Sequence, residues 1–332
     1  MARLDFLKVP DYAARNTQLA VLCCLFQGQQ NPLIMANYGR FAEEIKSLGL
    51  PLYTIECVNP GEEFLVPRDG TVLRCVAKTL GWHKERLLNM LARRIPPRFT
   101  KLAWLDADVI LRTRSWAYET EQLLDSHHVV QPFSAARWLD REGRTLPEVS
   151  GPDARCCDGS VFHIKRHGAS LSVFDTTHPG FAWAMRRDTW LRLGGLCDRV
   201  LTMGADAVML GAFLGLYGQP QIHQHYTRVP SVFEWYQKAH EIVNGNVTCV
   251  YGMVDHLWHG FWMNRQYLSL GAQIFALKQD FDSSVVEDPA APGDLPRITQ
   301  DAELLEIYRR YFKLRNQLET TDPTRIIDHS PL

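Results

Sequence analysis

Lys101-Leu102-Ala103-Trp104-Leu105-Asp106-Ala107-Asp108-Val109-Ile110-Leu111 decides how the rest of the chain reads. It is a short apolar run that ends in two carboxylates and then turns apolar again. The flanks predict a buried strand with Asp106 and Asp108 pinned at its end. In an extended chain residues i and i+2 point to the same face, so both carboxylates are expected to serve one ligand. Two hard oxygen donors suit Mg²⁺ or Mn²⁺, with phosphate and water filling the remaining positions. The plainer reading is a strand-ending turn with two solvated aspartates.

The elements on either side read as an open α/β sheet. Leu19 to Phe26 is apolar at every position, as a central parallel strand buried on both faces should be. Tyr38, Phe41, Ile45 and Leu48 fall at helical spacing over 36–48, with Gly49 to end the helix. Leu52 to Val58 is a second strand, and Asn59 to Gly70 a loop. Residues 82–92 read as a helix closed by Pro96-Pro97. A helix over 115–125 and a short strand at His128 to Phe133 follow the acidic stretch. Residues 134–160 read as a loop or small hairpin over the site.

Further on, a strand is expected at 178–185, entered through Pro179-Gly180. A short helix then runs to Gly194-Gly195, and Met203-Gly204-Ala205-Asp206 opens an apolar helix. Residues 232–243 read as a helix and 249–254 as a strand running into Asp255-His256-Leu257-Trp258-His259-Gly260. Residues 264–277 read as helix. The Pro-rich stretch 282–297 reads as a linker. An amphipathic helix over 301–318 carries Leu304, Tyr308, Tyr311 and Phe312 on one side.

Composition narrows the classes. The chain has 332 residues, 46% hydrophobic and 22% charged, with a formal net charge of −1. That is the balance of a globular domain of ordinary size. It supplies no global basic field for nucleic acid or an anionic membrane. The N-terminal residues do not read as a signal peptide, and Leu19 to Phe26 is far too short to span a bilayer. The eight cysteines show no CxxC and no regular spacing. Free thiols and a cytoplasmic location are the expectation.

Taken in order, these pieces resemble the GT-A superfamily of nucleotide-sugar glycosyltransferases, and most of all family 2 and the β-1,4-galactosyltransferase family. Lys84-Glu85-Arg86-Leu87-Leu88-Asn89 is similar to the Arg-x-x-Leu-Leu-Asn helix of the galactosyltransferases. Leu105-Asp106-Ala107-Asp108-Val109-Ile110 resembles their metal-binding Asp-x-Asp. Pro179-Gly180-Phe181-Ala182 with Gly194-Gly195 resembles their acceptor-side segment. Met203-Gly204-Ala205-Asp206 stands where that family has Gly-Glu-Asp, with Ala205 replacing the acid. His256-Leu257-Trp258-His259 resembles their late metal-binding element.

The resemblance covers about residues 19–275. It implies a GT-A, Rossmann-like fold with a mixed, mostly parallel central sheet flanked by helices. It divides the chain into a catalytic domain over 1–280, a linker over 281–298, and a C-terminal helix and tail over 299–332.

The implied activity is metal-dependent transfer, with inversion, from a nucleoside diphosphate sugar, a UDP-sugar favoured. Asp108, His256 and His259 are the expected ligands of Mn²⁺ (or Mg²⁺), imidazole tilting the choice towards Mn²⁺. The alternative for the histidines is a strand cap and a structural partner of Trp258. Asp206 is the expected base, with helix N-cap as its alternative role. Lys84, Arg86, Asn89 and Asp106 are expected at the donor, or, for the helix residues, on a solvated face. Trp183, Trp258 and Trp262 stand as sugar-stacking or core residues.

The acceptor hydroxyl stays open among glycan, lipid-linked sugar, protein and a hydroxymethylated DNA base of viral type. Two other functions compete. A sugar nucleotidyltransferase needs a Gly-rich loop after the first strand, and Gln27-Gly28-Gln29-Gln30 has one glycine. A silent sugar-binding protein on the same fold has no need for Asp106, Asp108, Asp206, His256 and His259 together.

Overall fold

The computed structural model describes residues 17–27, 31–145, 157–168, 177–216, 228–260, 264, 266, 269–277 and 280–316. The first strand, β1 (Leu19–Phe26), is apolar throughout because both its faces are covered. Leu19, Val21, Cys23 and Leu25 face one core cluster, while Ala20 and Leu22 face the other. The helix α1 (Pro32–Ser47) starts at Asn31, whose side chain accepts a hydrogen bond from the Leu33 N–H, with Pro32 at the first helical position. That is the favoured start chemistry of a helix. Its Tyr38, Phe41 and Ile45 pack onto the Leu19–Leu25 side of the sheet.

Then come β2 (Leu52–Val58), β3 (Val72–Val76), α2 (Lys84–Ala92) and β4 (Lys101–Leu105). After them the chain enters β5 (Val109–Leu111), α3 (Trp116–Leu123), β6 (Val129–Gln131) and β7 (Ala135–Trp138). The middle of the chain supplies β8 (Cys157–Gly159), α4 (Ser160–His167), β9 (Thr177–His178), β10 (Ala182–Arg186), α5 (Arg187–Leu193) and α6 (Ala205–Leu214). The remainder is α7 (Pro230–Val243), β11 (Val247–Cys249), β12 (Met253–His256), α8 (Ser269–Ala276), α9 (Phe281–Ser284), β13 (Val285–Val286), β14 (Ile298–Thr299) and α10 (Ala302–Arg315).

Among the described residues the strands form a seven-stranded sheet, ordered β11-β6-β10-β4-β1-β2-β3. Only β10 runs antiparallel to its neighbours, so the sheet is mixed and mostly parallel, with helices on both faces. This is the α/β architecture the apolar periodicity predicts. Two features go beyond that expectation. β3 pairs with β2 as an edge strand where no strand was expected. A second sheet, β5-β12-β7-β8-β9, takes up residues read as a continuation of the acidic strand and as a loop over the site. The strand expected at 249–254 is in fact two strands in two sheets, broken at Val250 to Gly252.

The C-terminal helix belongs to the main core. Leu304, Ile307, Tyr308, Tyr311 and Phe312 are buried with α2, α5, α6 and α7 residues in one cluster. The Tyr308 hydroxyl donates to the Leu201 carbonyl at 2.8 Å. The stretch read as a linker, 281–298, carries α9 and the β13–β14 pair, and buries Phe281, Asp288 and Arg297. Among the described residues no helix is long and apolar enough to cross a membrane.

A prediction follows for the docked helix. Tyr308→Phe should cost about 1 kcal/mol, the net worth of one buried hydrogen bond. Tyr308→Ala should cost about 3–5 kcal/mol. Urea unfolding of the two variants checks both values, and equal small losses would mean the helix is not part of the cooperative core.

Candidate active site

The acidic pair lies where the chain leaves one sheet for the other. β4 ends at Leu105 in the central sheet and β5 begins at Val109 in the second. Asp106 to Asp108 therefore form a crossing turn, not the extended segment expected. The backbone is tied on both sides: the Asp106 N–H donates to the Phe181 carbonyl at 2.9 Å, and the Leu257 N–H donates to the Asp108 carbonyl at 2.7 Å. The turn sends the two carboxylates to different partners. Asp106 Oδ1 is 2.7 Å from Lys84 Nζ. Asp108 Oδ2 is 2.9 Å from His259 Nε2 and 3.5 Å from His256 Nε2.

Strand pairing explains the histidines. β12 runs antiparallel to β5 with His256 opposite Val109, which sets His256 beside Asp108. Residues 257–259 are irregular, not helical, and fold back to bring His259 to the same carboxylate. Two side chains from α1 hold that return. Asn31 Nδ2 donates to the His259 carbonyl at 3.1 Å, and Asn37 Nδ2 donates to the Trp258 carbonyl at 3.0 Å. Behind His256, the buried Asp255 carboxylate is held by Arg112 and Arg137.

The three residues fit a divalent cation. One carboxylate oxygen and two imidazole nitrogens lie within 4.8 Å of one another, and both histidines are buried. Burial alone would raise the Asp108 pKa; the two imidazoles outweigh it and hold the carboxyl well below its usual range. An anionic oxygen with two nitrogen donors suits Mn²⁺ and later first-row ions better than Mg²⁺.

Asp206 lies on the other side of Lys84. α6 begins at Ala205 with Gly204 at the cap, so Asp206 is in the first turn and makes no capping bond. The helix-cap role considered for it is not the one it plays. Its Oδ2 accepts from Lys84 Nζ at 3.1 Å, while its buried Oδ1 has no hydrogen-bond partner among the described residues. An orphan buried carboxylate oxygen is costly and calls for a ligand. Burial pushes the Asp206 pKa up, Lys84 pulls it back and Asp106 adds to the rise; the net shift is upward. Beside Lys84 on α2, burial raises Glu85 to about 8.

Gly180 makes room for this carboxylate, since a Cβ there would stand 2.9 Å from Asp206 Oδ2. Phe181 follows with φ of 73°, a conformation a bulky side chain rarely adopts. Its ring stacks on His178 at 3.6 Å between centroids and lies 5.0 Å from His256. His178 and Phe181 thus floor the space between the histidines and the Gly180–Asp206 contact. No sequence signal marks Asn31, Asn37 or His178 as site residues. Asn31-Pro32 reads as a helix start, and its second bond to His259 crosses 228 positions.

Two of the expected donor residues make their hydrogen bonds inside the protein. Asn89 donates to the Leu196 carbonyl at 3.0 Å and accepts from the Leu196 N–H at 2.8 Å. Gly195, at φ +106°, leaves space for it, as a Cβ there would meet Asn89 Oδ1 at 2.5 Å. Arg86 pairs with Asp198 and Glu287 and donates to the Leu295 carbonyl. Both have their polar groups paired within the protein. Trp183 is core, its indole N–H donating to the Pro179 carbonyl at 2.7 Å. Trp258 is half-buried beside the site, and Trp262 lies outside the described residues.

No protein-family model matches this chain, and no curated protein matches it in sequence. Solved structures do show similarity. The catalytic domain of Drosophila β1,4-galactosyltransferase 7, crystallised with xylobiose, matches at 10% identity and a TM-score of 0.32, covering 70% of this chain. The match spans 66% of that domain, just under two thirds. Mannosyl-3-phosphoglycerate synthase from Rubrobacter xylanophilus matches at 12% identity and a TM-score of 0.41, covering 88% of this chain and 89% of that one. 4-Diphosphocytidyl-2C-methyl-D-erythritol synthase from Anaerococcus prevotii matches at 9% identity and a TM-score of 0.34, covering 73% and 90%. These likenesses are too distant to carry residue roles to this chain.

The role of Asn89 is testable. Asn89→Ala leaves a buried N–H and a buried carbonyl unpaired, which should cost about 2–4 kcal/mol of stability. Nucleotide affinity of the folded variant should stay unchanged, as read by calorimetry. A selective loss of nucleotide binding at unchanged stability would return Asn89 to the donor site.

Proposed function

We propose that the protein is a metal-dependent glycosyltransferase. It moves a sugar from a nucleoside diphosphate sugar, a UDP-sugar favoured, to an acceptor hydroxyl with inversion at the sugar carbon. One observation carries the reading: just beyond the carboxyl end of β4, Asp108 belongs to a three-donor cluster fit for a metal, and Asp106, two residues before it, is tied through Lys84 to Asp206, a carboxylate with an orphan oxygen. The carboxyl ends of strands are where open α/β sheets bind ligands.

Asp108, His256 and His259 would hold a divalent ion, which would supply Lewis-acid neutralisation of the leaving diphosphate. The protein's own groups do the rest. In this reading Asp206 Oδ1, which has no other partner among the described residues, accepts the hydroxyl proton while Oδ2 stays on Lys84. Lys84 keeps Asp206 ionised in a buried site, against the desolvation that raises its pKa. Asp106, the most exposed of the three at 31% of its side chain, is the carboxylate within reach of a ribose hydroxyl or a bound water. Gly180 and Phe181 shape the acceptor side, next to Asp206. The acceptor is a glycan, a lipid-linked sugar, a protein or a hydroxymethylated base; mass spectrometry of cells with and without the gene separates these.

Asp206→Asn should lower kcat by about 10²–10⁴, the range of general-base catalysis, and leave donor affinity within about twofold. An acid cannot accept the proton, so activity should fall as pH drops through the Asp206 pKa, which burial raises from its ordinary value. Lys84 lowers that pKa, so Lys84→Met should move the acid limb of kcat/KM to higher pH. An unmoved limb would detach Lys84 from the base.

Activity should be higher with Mn²⁺ than with Mg²⁺, and UDP should bind only when metal is present. His259→Ala should lose roughly 10-fold or more in metal affinity. Calorimetry showing equal UDP affinity after chelation would sink the metal assignment. Donor binding with no turnover on any acceptor or water would leave a sugar-binding role instead.

A further inference from the structure

A second cluster of metal-ligand side chains lies away from this site, on β8 and α4. Asp158 is the middle residue of β8, and α4 begins one residue after that strand ends. His163 and His167 are four apart on α4 and so share one face of the helix. His163 Nδ1 is 3.1 Å from Asp158 Oδ2, and the two imidazole rings are 4.8 Å apart between centroids. One donor atom from each residue lies within 4.8 Å of the others. The cationic neighbours on α4 are turned away: Lys165 Nζ donates to Thr248 Oγ1, and Arg166 lies over the Phe162 ring.

We infer that Asp158, His163 and His167 form a second metal site, for a late first-row cation of the zinc class. Two imidazoles and a carboxylate are the donor set of three-ligand zinc centres, which keep a fourth position for water or another ligand. The Irving–Williams order favours Zn²⁺ over Mn²⁺ for this donor set, and here, unlike at the Asp108 cluster, no substrate diphosphate is proposed to add the oxygen donors that suit Mn²⁺. Two of the three ligands come from one short helix, so few torsions must be fixed to close the site. Small side-chain rotations bring the donors from their present spacing to coordination distance. His167 is exposed and Asp158 and His163 are half-buried, so the ion enters straight from solvent.

The site also has a structural consequence. β8 pairs with β9 at the edge of the second sheet, with Asp158 opposite Thr177 and Gly159 opposite His178. Ser160, the first residue of α4, hydrogen-bonds the Thr177 hydroxyl. An ion joining β8 to α4 would brace the β8–β9 pair, whose His178 stacks against Phe181. It would act on stability and not on the chemical step.

The test uses the full-length protein stripped of metal by a chelator and titrated with Co²⁺, followed by visible absorption, and with Zn²⁺, followed by calorimetry. Wild type should bind two equivalents. The double variant His163→Ala/His167→Ala should bind one, and His259→Ala should bind one, at the other site. The triple variant should bind none. Asp158→Asn should weaken the second Zn²⁺ at least 10-fold while both histidines remain. Zn²⁺ should raise the melting temperature of His259→Ala and not that of the triple variant. Two equivalents in the double variant, or one in the triple variant, would overturn the proposal. A loss confined to His259→Ala would do the same and leave the glycosyltransferase reading standing.

Discussion

One buried ammonium group ties the site together. Lys84 Nζ touches Asp106 at the end of β4 and Asp206 in the first turn of α6, and its own side chain is only 11% exposed. Three elements distant in sequence meet at this nitrogen. Taking the lysine away would leave two neighbouring carboxylates, that of Asp206 buried, without their counter-charge, which is far more costly than losing a surface pair. The arrangement also divides the Asp206 carboxylate: one oxygen accepts from the lysine, and the other is buried without a hydrogen-bond partner among the described residues.

Around that contact, the site is built by joining two sheets. The central sheet ends at Asp106 and the smaller sheet begins after Asp108, so the turn between them is anchored by backbone bonds from both. Phe181 holds a positive φ at this junction, a strain of order 1–3 kcal/mol that stacking on His178 and contact with Trp138 help to offset. Asn31 and Asn37 pin the loop bearing His259 from the opposite direction. The candidate metal-binding side chains therefore sit on a frame rather than on a free loop.

Much of this was legible in the chain, and the limits have physical causes. β1 and β2 stood out because a strand buried on both faces is apolar without interruption. The Asp-x-Asp stretch and the His-x-x-His stretch announced themselves through residue type, and the structure brings Asp108, His256 and His259 together. Lys84, Arg86 and Asn89 could not be told apart by sequence, although helix geometry separates them. At 100° per residue, Arg86 and Asn89 lie about 200° and 140° around α2 from Lys84, on the side facing the core and not the site. β3 gave little signal because Val72 to Val76 is short, contains the charged Arg74 and follows closely on the Asp69-Gly70 turn. The second sheet was hidden because its strands are two to four residues long, too short for any period to register.

The docking of α10 bears on how the chain acquires its shape. The Asn316 side chain donates to the Gln27 carbonyl across 289 positions, and the Phe312 ring lies 6.4 Å from Phe26. The carboxyl end of the central strand is thus closed by residues synthesised long after it. Until α10 arrives, the Phe26 and Trp82 surface stays open to water, an apolar patch in a nascent chain. Contacts of such separation fold slowly and leave partly built forms prone to association. Recovery of this protein from a cell-free translation should thus depend on whether the last turns of helix have left the ribosome.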